Sequence, residues 1–242
     1  MNRTAFWLAL QFLTRLPTPR CLDYSPAALG RSVVMYPWVG LLIGALLLGL
    51  DWFLAQAGTS LQAALLLSAW VLISGGLHLD GLADSADAWI GGQGDRERSL
   101  AIMKDPNSGP MGVIAIILIL LVKYGALVTL LDRSSSLPLL WAPLLARGSI
   151  PLLLLSTPYV RQQGLGAALA ENLPRPAAAA SALLGGSVVL GLAGYRPLLT
   201  ALFTLWILRK LMLDRLGGCT GDTLGASVEI TEAAVLTAAA LG

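Results

Sequence analysis

Residues 75–89 read Gly-Gly-Leu-His-Leu-Asp-Gly-Leu-Ala-Asp-Ser-Ala-Asp-Ala-Trp, and they directly follow an apolar run that ends at residue 73. At about 100° of rotation per helical residue, Asp80, Asp84 and Asp87 lie within about 60° of arc on one helical face. Three carboxylates so near one another repel, and one or more of them would be protonated unless a cation lay between them. The stretch therefore predicts a site for a divalent cation that prefers oxygen ligands, most commonly Mg²⁺. The alternative is an acidic helix end that is simply solvated.

The composition of the chain indicates a protein with several membrane-spanning helices. Of its 242 residues, 56% are hydrophobic and 12% are charged, whereas a soluble domain carries roughly 25% charged residues. The mean hydropathy is +0.73. The net charge of +2 is small and says little about partners, and we expect no nucleic-acid partner. Cys21 and Cys219 match neither a metal-ligand motif nor a disulfide framework, and we interpret both as incidental. We expect no signal peptide, because residues 1–20 lack a small-residue cleavage site.

Apolar runs of the length of a membrane helix recur along the sequence. We predict an all-α, polytopic helical bundle that forms one membrane-embedded domain over residues 1–242, with about six to seven transmembrane helices. An interfacial helix is predicted at residues 2–16, ending before Pro17. Six spans are predicted at residues 33–54, 61–77, 111–131, 137–158, 177–193 and 197–208. A seventh candidate, residues 223–241, is weakened by Glu229 and Glu232.

The basic residues are distributed unevenly between the two sides of this predicted bundle. If the N-terminus is cytoplasmic, twelve basic residues fall on the inside and only Arg133 and Arg196 fall outside. The twelve are Arg3, Arg15, Arg20, Arg31, Arg96, Arg98, Lys104, Arg161, Arg175, Arg209, Lys210 and Arg215. The bias predicts a cytoplasmic N-terminus. It also places residues 80–87, the loop around residue 104 and the turn 217–222 on one face, as a single active site would require.

A second acidic group follows a glycine-rich turn near the C-terminus. Asp222 and Glu229 share a face if a helix continues from there, although Asp222 could instead only cap that helix. Capping does not explain Glu229 and Glu232, because an unpaired carboxylate inside a membrane segment costs roughly 2.5 kcal/mol or more. These two glutamates need a cation, such as Lys123 or Arg147, or a water-filled cavity.

Three further residues are candidates for contact with a phosphate or a metal. Lys104 and Asp105 lie in a turn rich in proline and glycine, which suits phosphate contact and metal or hydroxyl contact unless it is an ordinary surface loop. Arg147 lies within a predicted span and needs a partner, either a phosphate held bidentately or a buried carboxylate. His78 faces about 160° away from Asp80 on a continuous helix, so we do not predict it as a fourth metal ligand.

Carboxylates that hold Mg²⁺, together with lysine and arginine for phosphate oxygens, are typical of phosphoryl-type transfer. The metal offsets the charge of a diphosphate and stabilises the leaving group, and a spare carboxylate can accept the proton of an attacking hydroxyl. At the cytoplasmic face of a membrane, this combination suggests an enzyme that joins an activated diphosphate to an alcohol.

Five motifs, in order between residues 6 and 232, resemble the cobalamin synthase family. They are Phe-Leu-Thr-Arg-Leu-Pro at 12–17, Tyr-Pro-Trp-Val-Gly at 36–40, His-Leu-Asp-Gly-Leu-Ala-Asp-Ser-Ala-Asp-Ala at 78–88, Met-Lys-Asp at 103–105 and Gly-Cys-Thr-Gly-Asp-Thr-Leu-Gly-Ala at 218–226. The resemblance implies a multi-pass, Mg²⁺-dependent transferase of the bacterial inner membrane, an adenosylcobinamide-GDP ribazoletransferase. Such an enzyme joins α-ribazole, or its 5′-phosphate, to the cobinamide phosphate and releases GMP. The product is adenosylcobalamin or its 5′-phosphate.

The same resemblance implies roles for individual residues. The implied ligands of Mg²⁺ and the diphosphate are Asp80, Asp84, Asp87 and Asp222. Asp84, Asp222 and Lys104 are the catalytic candidates, with Asp222 as a ligand or base. Lys104, Asp105 and Arg147 are the candidates for substrate phosphate contact. The implied partners are the two substrates and the lipid bilayer, with other enzymes of the pathway or a second copy of the chain as further candidates.

Two other classes of protein share part of this pattern. CDP-alcohol phosphotransferases also carry aspartates after an Asp-Gly pair, but the sequence after Asp80-Gly81 lacks their Ala-Arg and their longer spacing to the later aspartates. A cation transporter would carry acidic residues near mid-span, in corresponding positions of two halves. Here the aspartates cluster at one predicted face and no internal repeat is visible.

Overall fold

The computed structural model of the chain describes residues 3–19 and 23–242. The orientation assigned to Arg20, the interpretation of Cys21 and the first residue of the predicted helix 2–16 therefore lie outside the described residues. Within these ranges the chain is all-α, as predicted. The helices are α1 (Arg3–Leu13), α2 (Pro26–Ser32), α3 (Tyr36–Phe53), α4 (Thr59–Ser74), α5 (Leu77–Gly91), α6 (Arg96–Ile102), α7 (Pro110–Asp132), α8 (Pro138–Ser156), α9 (Leu165–Glu171), α10 (Arg175–Ala193), α11 (Tyr195–Leu216) and α12 (Gly221–Leu241).

Five segments of the described chain are long and apolar enough to cross a membrane. They are Pro26–Phe53, which combines α2 and α3, and the helices α7, α8, α10 and α12. The pair α4 and α5 passes the same test only when the two helices are taken together, as a broken span or a re-entrant loop, and counting it as a span gives up to six. The prediction of a polytopic helical bundle is confirmed.

The structure differs from the sequence prediction for the last two candidate spans. The predicted span 197–208 lies in α11, but this helix carries five charged residues and is not among the qualifying segments. The charged residues are Arg196, Arg209, Lys210, Asp214 and Arg215. The segment 223–241, the weakest candidate in the sequence, lies in α12 and does qualify.

The chain bends by 88° between α4 and α5, at Gly75 and Gly76. Both glycines are left-handed, with φ of +66° and +72°, a conformation that a residue with a Cβ atom rarely adopts. The segment after α1 packs on the bend, where the N–H of Arg15 donates to the carbonyl of Ile73 at 2.8 Å. The bend starts α5 in a new direction, so the three aspartates are not carried on a continuation of the preceding span.

Helix α8 lies at the centre of the bundle, with nearly all of its residues buried. Helix α3 packs tightly against it at two glycines. A Cβ atom added at Gly40 would lie 2.3 Å from the carbonyl oxygen of Pro143, and one added at Gly44 would lie 2.4 Å from that of Leu140. Glycine at these two positions therefore permits the close packing of α3 on α8.

A buried cluster of four charged side chains joins α7, α8 and α12. The Nζ atom of Lys123 lies 2.5 Å from Oε2 of Glu229 and also pairs with Glu232, and Arg147 pairs with the other oxygen of Glu232. All four side chains are buried. The expectation that the two glutamates of α12 need cations is confirmed, because Lys123 and Arg147, the two cations proposed from the sequence, pair with them.

Candidate active site

Helices α5 and α12 cross at two glycines, and this crossing builds the site. A Cβ atom added at Gly81 would lie 2.7 Å from the carbonyl oxygen of Asp222, and one added at Gly225 would lie 3.4 Å from the Cα atom of His78. Glycine at position 81 therefore lets the two backbones approach closely. Gly225, about one helical turn after Asp222, lies against both His78 and Gly81, since its added Cβ atom would also be 3.5 Å from the Cα atom of Gly81.

A glycine-rich loop positions the start of α12. Gly217 ends α11 in the left-handed conformation, with φ of +72°. The loop then pairs with the chain that follows α8. The N–H of Cys219 donates to the carbonyl of Pro158 at 2.8 Å, and the N–H of Val160 donates to the carbonyl of Cys219 at 3.0 Å. This pairing places the residue after Val160 beside the first turn of α12.

The N-cap of α12 is Thr220, which makes a capping box with Thr223. The Thr220 hydroxyl accepts the N–H of Thr223 at 3.2 Å, and the Thr223 hydroxyl accepts the N–H of Thr220 at 2.9 Å. The alternative in which Asp222 only caps the helix is therefore wrong. Asp222 is the second residue of α12, where a carboxylate also interacts favourably with the helix dipole.

Arg161 forms an ion pair with Asp222 at the site. Its Nη2 atom lies 2.5 Å from Oδ2 of Asp222 and also donates to the carbonyl of Met103 at 3.2 Å. About a fifth of each side chain of the pair is exposed. The Nε atom of Arg161 has no hydrogen-bond partner among the described residues. The guanidinium therefore has a donor left for a bound anion.

Asp80 and Asp222 line one cavity of about 250 Å³ together with Arg161. The negative charges of Asp80 and Asp222 act on Asp84 from nearby. The charge of Asp87 acts on Asp84 as well, so all four carboxylates predicted as metal ligands lie in one region, with Asp80 and Asp222 in the cavity wall. Like charges in one region are what a bound cation would offset.

Asp87, the fourth predicted ligand, holds the start of α7. Its Oδ2 atom accepts the N–H of Gly109 at 2.7 Å, and its Oδ1 atom accepts the N–H of Gly112 at 2.9 Å. A carboxylate is well suited to these unpaired N–H groups at a helix N-terminus. Both oxygens of Asp87 are thus engaged in joining α5 to α7, a role that the sequence prediction did not include.

The donor set suits Mg²⁺ in chemistry, since it consists of carboxylate oxygens. Within residues 3–19 and 23–242, no group of three or more His, Cys, Asp and Glu side chains is close enough to hold one metal ion. Mg²⁺ commonly uses one or two protein carboxylates and completes its shell with water and substrate phosphates. Asp80 and Asp84 fit that kind of site better than a closed cage.

Lys104 and Asp105 lie in an exposed loop after α6. Asp105 accepts the backbone N–H of Asn107 at 2.9 Å and its side-chain amide at 2.8 Å. These hydrogen bonds lower the pKa of Asp105 below its usual value. The neighbouring Met103 is buried and receives the hydrogen bond from Arg161. The loop is therefore anchored beside the site, with Lys104 at its edge and Asp105 occupied by Asn107.

Arg147 does not belong to this site. Its side chain is fully buried and pairs with Glu232. Of the two partners considered from the sequence, the structure has the buried carboxylate, and the assignment of Arg147 to a substrate phosphate is corrected accordingly. The physical reason is that the glutamates of α12 lie deep in the bundle, where a carboxylate needs a cation.

Burial alters the pKa of two groups that flank the site. It raises the pKa of the Tyr159 hydroxyl, which lines the cavity, although the charge of Arg161 acts in the opposite direction. It raises the pKa of the Cys219 thiol to about 12. The thiol therefore stays protonated at neutral pH and is a poor metal ligand or nucleophile.

Arg161 is the main residue that the sequence analysis missed, because it was counted only as a cytoplasmic charge. Its partner lies 61 residues further along the chain, so no local motif connects them. The available signal was its position in the short segment between two predicted spans, on the same predicted face as the aspartates.

The model of the cobalamin-5-phosphate synthase family matches residues 5–240 of the chain. The chain belongs to this family. Among similar members of the cobalamin-5-phosphate synthase family are proteins named adenosylcobinamide-GDP ribazoletransferase. That of Pseudomonas savastanoi pv. phaseolicola is 53% identical over 98% of both chains, and that of Pseudomonas fluorescens Pf-5 is 54% identical over 98% of both. That of Pseudomonas aeruginosa UCBPP-PA14 is 55% identical over 97% of this chain and 96% of the relative. No solved structure matches the chain.

Proposed function

We propose that this chain is an adenosylcobinamide-GDP ribazoletransferase that acts in a late step of cobalamin biosynthesis. It joins α-ribazole, or its 5′-phosphate, to the cobinamide phosphate of adenosylcobinamide-GDP and releases GMP. The observation that carries the proposal is the pairing of Arg161 with Asp222 beside Asp80 in one cavity. The names of relatives that are more than half identical along the whole chain support the same reaction.

The chemistry is a displacement at phosphorus. A hydroxyl oxygen of the ribazole forms a bond to the phosphorus atom that carries cobinamide, and the bond from that phosphorus to the GMP oxygen breaks. The hydroxyl proton passes to a carboxylate of the site, for which Asp84 and Asp222 are the candidates. GMP leaves with the bridging oxygen, so atoms and charges balance.

The basic residues of the site bind the diphosphate. A guanidinium binds phosphate oxygens bidentately, and the unpartnered Nε atom of Arg161 is available for one of these bonds. Asp222 orients that guanidinium through their ion pair. Lys104, in the exposed loop next to Met103, would approach the phosphates from the edge of the site.

Mg²⁺ is the cofactor of this proposal, and Asp80 and Asp84 are the residues that would hold it. When bound, the metal neutralises the diphosphate and stabilises the leaving GMP. The role of the two aspartates is to place that charge next to Arg161.

We place the site at the cytoplasmic face of the bacterial inner membrane, with the N-terminus in the cytoplasm. Basic residues flank the site in the short segments around α6 and after α8, and an excess of such residues marks cytoplasmic segments. The residues are Arg96, Arg98, Lys104, Arg161 and Arg215. This side is also where a nucleotide substrate would reach the enzyme from water.

A substrate-exchange assay tests the proposed reaction. Purified protein in nanodiscs is given adenosylcobinamide-GDP labelled in its GMP moiety, Mg²⁺, and one of two acceptors, α-ribazole 5′-phosphate or glycerol 3-phosphate. We expect labelled GMP and a cobalamin product only with the ribazole acceptor. A parallel reaction replaces the corrinoid by a CDP-activated lipid. Release of CMP from that lipid with glycerol 3-phosphate, and no GMP from the corrinoid, would favour a lipid-synthesising enzyme and contradict the proposal.

A further inference from the structure

His78 is a polar side chain of the cavity that has no role in the reaction described above. It lines the cavity and packs next to Gly225, three residues further along α12 than Asp222. Its side chain is buried, with 2% of the residue exposed. Neither ring nitrogen has a hydrogen-bond partner among the described residues. A neutral imidazole carries one donor and one acceptor, and leaving both unpaired in a buried place is unfavourable. The ring is therefore placed to bind a polar group that enters the cavity.

One part of the cavity wall is suited to a flat, apolar group. The rings of Phe12 and Tyr36 are stacked, with their centroids 6.1 Å apart and their planes at 21°, and both line the cavity. Aliphatic side chains line the cavity at Ile150, Leu154, Leu169 and Leu224, whereas its polar lining besides His78 comes from Asp80, Tyr159, Arg161, Gln163 and Asp222. Aromatic rings prefer such neighbours, with one polar contact to fix their orientation.

The size of the cavity limits what can bind there. Its volume of about 250 Å³ is below the roughly 300–1,000 Å³ of pockets for drug-sized ligands. A corrinoid is far larger and must stay outside, whereas a nucleoside base fits. Two bases take part in the proposed reaction, the guanine of the leaving GMP and the benzimidazole of α-ribazole.

The polarity of the wall distinguishes between these two bases. Guanine carries acceptors at O6 and N7 and a donor at N2, more polar groups than His78 and the hydroxyl of Tyr36 satisfy among the aliphatic side chains. The base of α-ribazole has two ring nitrogens, and one of them is bonded to the ribose. The single remaining nitrogen is an acceptor, which matches the single N–H donor of a neutral imidazole.

We propose that the part of the cavity next to His78 binds the benzimidazole base of α-ribazole, with His78 donating a hydrogen bond to its free ring nitrogen and the Phe12–Tyr36 pair packing against the ring. The identity of this ligand rests on the proposed function. With the base held beside His78, the ribose hydroxyls point toward Asp80 and Asp222, where the phosphate would be attacked. His78 is then a substrate-contacting residue that determines which nucleoside is accepted.

Equilibrium binding tests this inference without requiring turnover. The dissociation constants of α-ribazole and of GMP are measured by calorimetry for the wild type, His78→Leu, His78→Gln, Phe12→Leu and Ser181→Ala in nanodiscs. Loss of one hydrogen bond should weaken α-ribazole binding about tenfold in His78→Leu. His78→Gln keeps a donor and should lose less, and Phe12→Leu should also bind α-ribazole more weakly. Ser181→Ala removes a buried hydroxyl that bonds to Trp38 outside the cavity and should bind as the wild type does. GMP binding should be the same in the two His78 variants as in the wild type.

Three results would overturn the inference. They are no binding of α-ribazole to the wild type, wild-type affinity in a folded His78→Leu protein, or equal weakening of GMP and α-ribazole by His78→Leu. Binding of α-ribazole that depends on His78, in a protein that releases no GMP from adenosylcobinamide-GDP, would uphold the subsite and refute the proposed reaction. The two proposals can therefore fail separately.

Discussion

At the scale of single residues, the three aspartates of α5 divide into two kinds. Asp80 and Asp84 belong to the acidic region near Arg161, whereas both oxygens of Asp87 accept N–H groups from the first turn of α7. Their spacing placed all three on one helical face, and that face does turn toward functional neighbours. The spacing could not predict that Asp87 contacts the N-terminus of another helix, because the two glycines whose N–H groups donate to it come more than 20 residues later.

Replacing Asp87 by alanine should reduce stability more than it reduces metal dependence. Both hydrogen bonds to α7 are lost, and a hydrogen bond to a charged group is worth about 1.5–3 kcal/mol. We expect a clearly lower melting temperature in detergent, with a smaller loss in Asp87→Asn, which keeps one acceptor oxygen. Asp132→Asn, at the opposite end of α7, is the matched control and should melt as the wild type does. An Asp87→Ala protein with unchanged melting temperature and lost Mg²⁺ response would instead identify a metal ligand.

The charged residues show what a sequence can and cannot assign. The cost of an unpaired carboxylate in a membrane segment predicted that Glu229 and Glu232 need cations, and Lys123 and Arg147 do pair with them. The same reasoning left two partners open for Arg147, because the sequence does not give depth within the bundle. Arg161 was missed for a related reason, since only the folded chain brings it to Asp222.

At the scale of helices, the site depends on how closely α5 approaches α12. Gly81, in the motif at 78–88, and Gly225, the third glycine of the motif at 218–226, both lie at this crossing. Only the structure shows which helices these glycines bring together. The bend at Gly75 and Gly76 was not predicted, because the predicted span 61–77 runs through both glycines.

Adding one methyl group at the crossing should impair the reaction. In Gly81→Ala, the new Cβ atom would lie 2.7 Å from the carbonyl oxygen of Asp222, so one of the two helices must shift. We expect at least a tenfold loss of kcat in a protein that still folds, because a displacement of about 1 Å at a reacting centre can cost a hundredfold. The control is Gly49→Ala, where the added atom meets nothing within 4 Å. Equal activity of the two variants would show that the close approach is not needed.

At the scale of the whole molecule, composition and apolar runs were sufficient to predict an all-α, polytopic bundle. They were less reliable for individual spans. The run at 197–208 lies in α11, which carries five charged residues, whereas the tail with Glu229 and Glu232 forms α12, which is apolar enough to cross a membrane. Charged residues weaken a span predicted from sequence, but in α12 they are paired inside the bundle. The cluster around Lys123 joins α7, α8 and α12, and it lies further along α12 than the cavity.

Breaking this cluster should destabilise the bundle as a whole. Removal of one member of a buried ion pair typically costs about 3–5 kcal/mol, because the other charge stays buried without its partner. We expect Lys123→Met to lower the melting temperature strongly, and Lys123→Met combined with Glu229→Gln to recover part of the loss. Thermal unfolding of the single and double variants in the same detergent is the measurement. A single variant as stable as the wild type would mean that the cluster does not stabilise the fold.

We propose that a Mg²⁺-dependent transfer takes place at the crossing of α5 and α12. The measurement that tests this is the rate of GMP release from adenosylcobinamide-GDP in the presence of α-ribazole 5′-phosphate. The rate is compared between the wild type, Asp84→Asn and Asp132→Asn, each with and without a chelator. We predict turnover by the wild type and Asp132→Asn, none with the chelator, and a loss of about a hundredfold or more in a folded Asp84→Asn protein. Wild-type turnover by Asp84→Asn, with an unchanged dependence on Mg²⁺, would contradict the claim.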